Sequence, residues 1–570
     1  MLRDTLPSLP AGLRPSDILL AAVAGLAGLT GSFAVAGVTP GFVAAPIANT
    51  MAVILPGEII TFAILVLGDL GQQLNVLSAA GLAAAGLAGL ALLADQIGAE
   101  LDVPGAGAVV GGVLGTLASV GLVGVGLPSL ATGAGVAAVL LGGDLGGRAA
   151  DTTDATDTGR RRVLGGLPGL VGVGAAATVA ARSGGGGSTE PAEPDALAGG
   201  RDANGGGGSA ATKTHTPTET TRTPAPGTGA AGTAAGGAGG GESGDADAGS
   251  DAGESAETAT PTATPTPTSE ITRLLNEADR KTLDVDGIEP LVSQKHYVVD
   301  TAGVDPDLSA NEWSLSLTGQ VDETVTFSYE DLTSMAVDHR FVTLRCVGEG
   351  RNGKKMDTAL WTGVPVDDVL AEVDPDGDCD CVMLRSTDGF YEEIELDEIR
   401  GGLLAYGMNG EVLPRRHGYP VRILVPGHWG EVNVKWIDEI EFMNTEKPGY
   451  WEKRNWQGTG PVNTVAKLKT VNRPGDGRIQ VGGHAYAGTR GISRVEVSTD
   501  GGDSWTDARL SEQLPGDDVW RQWEYTYDSP GVEHEVVIRA TDQNGNLQTK
   551  ERTGPFPSGA TGWVSKTVAP

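Results

Sequence analysis

The 570-residue sequence predicts a multidomain protein with an all-α transmembrane bundle, a disordered linker, an α+β domain and a C-terminal immunoglobulin-like β-sandwich. Apolar runs rich in Ala, Gly, Leu and Val occupy the first third of the chain. A stretch dominated by Gly, Ala, Thr and Pro follows, and tryptophans and β-branched residues return only after it. These composition changes predict domain boundaries at 1–182, 183–270, 271–458 and 459–570.

The first domain is expected to cross a membrane about five times, because its apolar runs approach the roughly 20 residues that a helix needs to span a bilayer. Two further runs are ambiguous, since 47–67 contains Pro56 and Glu58, and 126–143 is short. One of them is expected to span, and the other to be interfacial or re-entrant. Glu58 is either a functional buried acid or part of an exposed loop. The clear runs are 18–39, 74–94, 104–125 and 163–181.

Basic residues predict the orientation of these helices. Arg3 and Arg14 precede the first run and 160–162 is an arginine triplet before the last, so both flanks are expected to be cytoplasmic. An odd number of crossings then makes this a multi-pass protein of the cell membrane with its folded domains outside. The triplet is also compatible with an internal twin-arginine export signal, the alternative being an ordinary positively charged anchor.

Charge and composition constrain the partners. A formal net charge of −33 excludes nucleic acid, whose phosphates demand a basic surface, and it disfavours acidic substrates. An acidic surface with little lysine is typical of halophilic proteins. Residues 183–270 contain too few apolar side chains to offset chain entropy, and they predict a disordered linker.

The part after residue 270 has two patterns. Short apolar runs at 313–317, 324–329 and 421–425 predict strands, and helical patterns at 364–372 and 395–406 complete an α+β domain. After about residue 460 only strand and turn patterns remain, which favours a β-sandwich of immunoglobulin type.

The three cysteines do not form a disulfide framework. Cys346 is either an inert core residue or a thiolate that acts as a nucleophile or metal ligand, and its neighbours Arg345 and Arg351 favour the thiolate. Cys379 and Cys381 are only one residue apart, so we expect them to remain unpaired at the start of a strand, one buried and one exposed. Without nearby ligands they do not predict a metal site.

Six ordered blocks resemble the sulfite oxidase family of molybdopterin-dependent oxidoreductases, over residues 290–570. The resemblance implies a sulfite-oxidase-type molybdopterin domain, a dimerisation-type sandwich that permits a homodimer, and Mo-molybdopterin as cofactor. The membrane part is similar to the anchor of membrane-bound members. The blocks are HYVVDTAGVDPDLSANEWSLSLTGQV, VTLRCVGEG, LWTGVPVDDVL, LLAYGMNGEVLPRRHGYPVRILVPGHWGEVNVKWIDEIEF, YWEKRNW, and VVIRATDQNGNLQ with GATGW.

The resemblance implies that Cys346 is the protein ligand to molybdenum, and a soft thiolate suits a dithiolene-bound metal. Without the family resemblance, His417 could be a surface histidine, Lys435 a solvated charge and Asp388 a turn former. Residues 297–301 are expected to touch the cofactor largely through their main chain. The residues implied to contact the cofactor are Tyr297, Val298, Val299, Asp300, Thr301, Asp388, His417, Arg422, Asn433, Val434 and Lys435.

The expected substrate side departs from the family pattern. Arg351 matches one of the family's anion-binding arginines, but Val299 stands where another is expected, and Trp456 replaces a tyrosine. Phe556 and Pro557 occupy the position of a third arginine. A small neutral S-oxide or N-oxide is therefore predicted as the substrate of oxygen-atom transfer, and sulfite, a dianion, is the alternative. Trp456 could equally be a packing residue.

The electron partner is expected to be a separate carrier: a cytochrome, a small copper protein or a quinone-linked subunit. All seven histidines follow the last apolar run, so the membrane part lacks the ligands of a bis-histidine haem. The rival interpretation from another class is a non-catalytic surface protein that presents its β-domains for binding or adhesion.

Overall fold

The computed structural model describes residues 14–63, 67, 69–148, 163–164, 269–373, 375 and 379–570. Three predicted features lie outside these residues: the arginine triplet, almost all of the fifth apolar run and almost all of the linker.

Four of the N-terminal helices, α1, α4, α5 and α6, are long and apolar enough to cross a membrane. They pack on one another through alanines and valines such as Ala24, Ala91, Ala108 and Val136. Small side chains allow close approach of the helices, as membrane bundles require. The helices are α1 (Pro15–Ala36), α2 (Ala45–Ile54), α3 (Gly57–Phe62), α4 (Asp69–Leu101), α5 (Ala106–Val123) and α6 (Leu127–Arg148).

The two ambiguous apolar runs behave differently. Residues 126–143 lie almost wholly within the long helix α6, whereas 47–67 is broken between α2 and α3. Leu55 is extended, with φ −64° and ψ 140°, as is usual before a proline. Pro56 then starts the short helix α3 because it cannot continue the preceding one. The run 47–67 is therefore the interfacial or re-entrant candidate.

Two five-stranded sheets form the α+β domain. The first has the order β2-β1-β10-β5-β6, and the second has the order β3-β4-β7-β8 with β9 on β7. The strands are β1 (Ser314–Gly319), β2 (Val325–Ser328), β3 (Asp338–Arg345), β4 (Met356–Pro365), β5 (Cys381–Ser386), β6 (Tyr391–Glu395), β7 (Leu403–Met408), β8 (Glu411–Val412), β9 (Arg422–Leu424) and β10 (Ile437–Phe442). The helices are α7 (Ser269–Lys281), α8 (Tyr329–Ser334), α9 (Val366–Leu370) and α10 (Leu396–Ile399).

One apolar cluster holds these two sheets together. Leu384 and Ile440 come from the first sheet, and Val364 and Leu404 come from the second; all four are fully buried. Because burial of apolar surface is the main favourable term in folding, this shared cluster makes the two sheets one domain.

The predicted helical pattern at 395–406 is wrong over its second half. Only Leu396–Ile399 is helical, and Leu403–Met408 forms β7. Gly401, with φ +72°, ends the helical turn. Strand β7 pairs with β4, β8 and β9, so its apolar run is buried between neighbours and shows no alternation. A short buried run cannot be assigned to helix or strand by periodicity alone.

The C-terminal domain is a sandwich of two four-stranded sheets, with orders β11-β12-β16-β15 and β14-β13-β17-β18. Val481 and Trp523 from one sheet meet Val495 and Ile538 from the other in a common core. The immunoglobulin-like topology remains a prediction. The strands are β11 (Val465–Asn472), β12 (Arg478–Tyr486), β13 (Ile492–Ser498), β14 (Thr506–Asp507), β15 (Arg509–Leu510), β16 (Arg521–Asp528), β17 (His534–Asp542) and β18 (Val564–Val568).

The expectation that Cys379 and Cys381 remain unpaired is wrong, because they form a disulfide. Their Cα atoms are 5.1 Å apart. Residues two apart in a strand are separated by roughly 6.5 Å, but Cys379 lies in a bend before β5, which shortens the separation into the range that a disulfide accepts.

Close packing of the bundle predicts opposite responses at two glycines. A Cβ on Gly25 of α1 would lie 2.3 Å from the carbonyl oxygen of Ala84 on α4, whereas a Cβ on Gly86 of α4 meets nothing within 4 Å. We expect Gly25→Ala to destabilise the protein in detergent by about 1–3 kcal/mol, the usual cost of overpacking, and to lower its thermal midpoint. Gly86→Ala is the matched control. Equal midpoints for the two variants would contradict the observed packing of α1 on α4.

Candidate functional site

A cavity of about 110 Å³ lies at the ends of β3 and β5. It gathers all of the predicted site residues except Arg351, which is not part of its lining. The predicted residues that line it are Tyr297, Val298, Val299, Asp300, Thr301, Cys346, Asp388, His417, Arg422, Asn433, Val434, Lys435 and Trp456.

Cys346 follows β3 directly and is buried in this wall. Its main-chain N–H donates to the carbonyl of Lys355 over 3.0 Å. The expectation that flanking arginines hold it as a thiolate is wrong, since Arg345 donates to Glu349 over 2.9 Å and Arg351 points to the carbonyl of Thr553. Burial raises the pKa of the thiol to about 11. A bound metal cation would supply the missing charge, because coordinated thiols are deprotonated.

Cationic and imidazole groups form part of the cavity wall. Arg422 donates to the carbonyls of His417, over 3.1 Å, and Asn433, over 2.7 Å, while its Nε is buried without a hydrogen-bond partner in the described structure. His296 Nε2 is likewise buried without such a partner. Burial is the main cause that lowers the pKa of His296 to about 3 and that of His417 to about 4, so both imidazoles are neutral.

These groups fit a molybdopterin. Buried polar atoms are nearly always hydrogen-bonded, so the free donor Arg422 Nε and the free acceptor His296 Nε2 indicate that this wall is built for a ligand with both acceptor and donor atoms. A phosphate-bearing pterin is such a ligand, and a buried guanidinium is its usual partner. Cys346 adds the soft donor that a dithiolene-bound molybdenum requires.

Asp300 does more than the expected main-chain contact. Its side chain is 1% exposed and forms an ion pair with Lys435, and Arg416 lies 3.9 Å away. The Tyr297 N–H donates to Asp357 over 2.8 Å. Carboxylates thus anchor the segment 297–301 near both of its ends, and this holds its main chain against the cavity.

Two further carboxyl groups line the cavity. Asp388 accepts from the N–H of Phe390 over 3.0 Å and from the Ser386 hydroxyl. Glu431 has one oxygen buried without a hydrogen-bond partner in the described structure. Burial, with the nearby charge of Glu452 as a second cause, raises the pKa of Glu431 to about 8, so it holds a proton at pH 7.

The remaining wall is apolar and faces the membrane bundle. Val299, Phe390, Trp451 and Trp456 line it. The Trp451 and Trp456 rings are 6.1 Å apart, and the Trp456 indole N–H donates to the Thr61 hydroxyl of α3 over 3.1 Å. Trp456 therefore lines the site and packs between domains, so the two alternatives for it are compatible.

Sequence reasoning missed several lining residues. Most of them lie inside the blocks that carry the family resemblance, and Ser386 and Phe390 flank the predicted Asp388, so the residues around each predicted position were the available signal. Their burial and pKa shifts become visible only in the fold. The main ones are His296, Arg416, Glu431 and Trp451.

Two family models match this region: the oxidoreductase molybdopterin binding domain over residues 302–451 and the Mo-co oxidoreductase dimerisation domain over residues 460–554. Mitochondrial sulfite oxidase of Mus musculus is 28% identical over 302 residues, which are 43% of this chain and 54% of that protein. Nitrate reductase [NADH] 1 of Arabidopsis thaliana is 26% identical over 326 residues, which are 44% of this chain and 35% of that protein.

The chain thus spans about half the length of the sulfite oxidases it matches. A solved structure, the sulfane dehydrogenase SoxCD from Paracoccus pantotrophus, aligns with 49% of this chain and 83% of its own at 20% identity, with a TM-score of 0.39, which is too distant to bear on the site. The ordered match of both domain models, together with the sulfite oxidases among the relatives, identifies residues 302–451 and 460–554 as the molybdopterin-binding and dimerisation domains of a sulfite-oxidase-type molybdopterin-dependent oxidoreductase.

Proposed function

We propose that this protein is a membrane-anchored, extracytoplasmic molybdenum oxidoreductase that removes an oxygen atom from a small S-oxide or N-oxide and exchanges electrons with a separate carrier. The observation that carries the proposal is the make-up of the aromatic end of the cavity. Val299, Trp451 and Trp456 are apolar, Glu431 holds a proton, and Arg351 is outside. A neutral substrate whose oxygen accepts a proton suits this apolar end better than a dianion does, because burying an unpaired charge is costly.

When bound, the molybdopterin centre supplies two-electron oxygen-atom transfer. Cys346 is the proposed metal ligand. Arg422 and His417, with Lys435, would hold the acceptor atoms of the cofactor, and Asp300 keeps the lysine in position. The tryptophans exclude water from the substrate. Glu431 would hold a proton at the carboxyl oxygen that has no hydrogen-bond partner and donate it as the oxide oxygen leaves.

The geometry of the bundle supports the extracytoplasmic placement. The catalytic domain contacts the end of the bundle where α1 finishes and α4 begins, through Val304 with Asn49 and Tyr450 with Ala52. Arg14 lies at the opposite end of α1. Four spans return the chain to the side of Arg14, so one more crossing is needed before residue 269, and the apolar run 163–181 is the candidate for it.

Two parts of the proposal rest on the relatives. Sulfite oxidation is the second candidate activity, because the curated relatives include sulfite oxidases at 28–29% identity. A homodimer formed through the C-terminal sandwich is proposed because a dimerisation-domain model matches residues 460–554.

A substrate comparison tests the reaction. The whole protein in detergent, given a reduced viologen dye, should reduce an S-oxide or an N-oxide. With an oxidised dye it should oxidise sulfite more slowly than it reduces the oxide, by about a hundredfold or more, since a dianion without arginine contacts loses about 3 kcal/mol or more of binding. Sulfite oxidation faster than oxide reduction would overturn the substrate assignment and leave the family assignment intact.

The role of Glu431 predicts a pH effect. Oxide reduction should slow as the pH rises through about 8, because the carboxyl then loses the proton that it donates. Glu431→Gln should be roughly a hundredfold slower at pH 7 and lose this titration. The exposed Glu372→Gln is the matched control. A profile unchanged in Glu431→Gln would eliminate this residue as the acid.

Cys346 provides the test against the rival surface-protein function. The natural protein should contain molybdenum by elemental analysis. Cys346→Ser should lose turnover while its circular dichroism spectrum stays the same, because a hydroxyl is a harder and far weaker ligand than a thiolate. A protein matured in its native cytoplasm that still contains no molybdenum would favour a binding or adhesion role.

A further inference from the structure

A second cavity, of about 140 Å³, lies between the membrane bundle and the catalytic domain. The bundle contributes α2, α3 and the start of α4, and the catalytic domain contributes residues 298–303 with Tyr450 and Trp451. Its walls are mostly apolar, with Leu55, Ile59 and Ile60 on the bundle side. An engineered cavity of about 150 Å³ in another protein binds benzene, so this space is adequate for one six-membered ring.

The two cavities share a wall. Residues 298–301 and Trp451 line both, so anything bound in the second cavity is one layer of residues away from the cofactor site. Lys355 provides a second link, because it lines the second cavity while its carbonyl accepts the N–H of Cys346 over 3.0 Å.

The polar groups of the second cavity are few and come from both sides. Asn75 of α4 has its Oδ1 buried without a hydrogen-bond partner in the described structure, and its Nδ2 donates to the carbonyl of Ala48 over 3.0 Å. Gln72 makes a long bond of 3.4 Å to the Ala302 carbonyl. With the amine of Lys355, the site offers both a free acceptor and available donors.

The cavity also reaches the outer surface of the bundle. Ile59 lines it and is 50% exposed, and its neighbour Phe62 is 55% exposed. An apolar chain attached to a bound ring could leave along these two side chains, on a surface that faces lipid if α1 and α4 span the membrane.

We propose that this second cavity binds the ring of a membrane quinone or quinol, and that the quinone pool is the electron partner. The ring fits the apolar walls, a quinone oxygen accepts from Gln72 or Lys355, and a quinol hydroxyl donates to the free Asn75 oxygen. The inference rests on the proposed function, because it needs both a membrane and a two-electron centre across the shared wall.

The reaction balances without another reactant. Oxidation of a quinol breaks two O–H bonds and releases two electrons and two protons, which are the amounts needed to remove one oxygen atom as water. In sum, one S-oxide and one quinol give one sulfide, one quinone and one water, and the bond between sulfur and oxygen is the one that breaks in the substrate. Electrons cross the wall of residues 298–301 and Trp451, and the oxide is reduced in the first cavity.

Binding is tested on the whole protein in detergent with a decyl benzoquinone, followed by quenching of tryptophan fluorescence, since Trp451 lies in the wall. Saturable quenching is expected. Gln72→Leu removes a donor to the quinone oxygen and Ile59→Trp fills the space, so each should weaken the quinone affinity by about tenfold or more. The exposed neighbour Gln73→Leu is the matched control. Unsaturable quenching, or affinities unchanged in both variants, would overturn the quinone site.

Turnover separates this inference from the proposed function. In Asn75→Leu the ratio of quinol-driven to dye-driven oxide reduction should fall by about tenfold, and in Gln73→Leu it should not change. Oxide reduction with the dye but none with decyl benzoquinol would disprove the quinone site alone. If the protein binds quinone and the cavity variants weaken that binding, but the protein reduces no S-oxide or N-oxide, the site is supported and the proposed substrate is disproved.

Discussion

A buried carboxylate, Glu349, secures the loop that carries Cys346, the proposed metal ligand. It accepts from Arg345 over 2.9 Å and from the N–H of Lys355 over 2.8 Å, and it forms an ion pair with Lys467 of the sandwich domain. Arg345 and Lys467 are themselves fully buried. Removing one partner of such a network costs about 3–5 kcal/mol, because a buried charge is left unpaired. The position of Cys346 therefore depends on two domains at once.

Further hydrogen bonds join the catalytic domain to the sandwich around strand β3. Arg345 also donates to the carbonyl of Asn463, over 2.8 Å, and lies 4.8 Å from the centre of the Trp429 ring. Tyr486 of β12 donates to the carbonyl of Thr343 over 2.9 Å. Strand β3, which leads to Cys346, is thus bonded across the domain boundary.

The cations that line the cavity contrast with the strongly negative net charge of the chain. The protein carries a net charge of −33, yet one end of the cavity collects Arg422, Lys435 and Arg416. Asp300 balances two of these cations, so Arg422 keeps an unused donor for a ligand. The other end is aromatic and contacts the bundle. The cationic groups suit the phosphate of a molybdopterin and the aromatic end suits the neutral substrate that we propose, although the overall field repels anions.

The sequence alone indicated an apolar N-terminal part, an α+β domain and a strand-rich C-terminal domain in that order, together with some of the strands and thirteen of the residues that line the cavity, because these follow from local composition and from motifs of adjacent residues. It could not settle the assignment of 403–408 to a strand, since a buried apolar run lacks periodicity. The pairing of Cys379 with Cys381 depends on a bend that no spacing rule reveals. Glu431 and Asn75 matter because folding strips water from them and leaves an oxygen without a hydrogen-bond partner in the described structure. Only the tertiary structure decides which polar groups lose their water, because the groups that surround each of them come from distant parts of the chain.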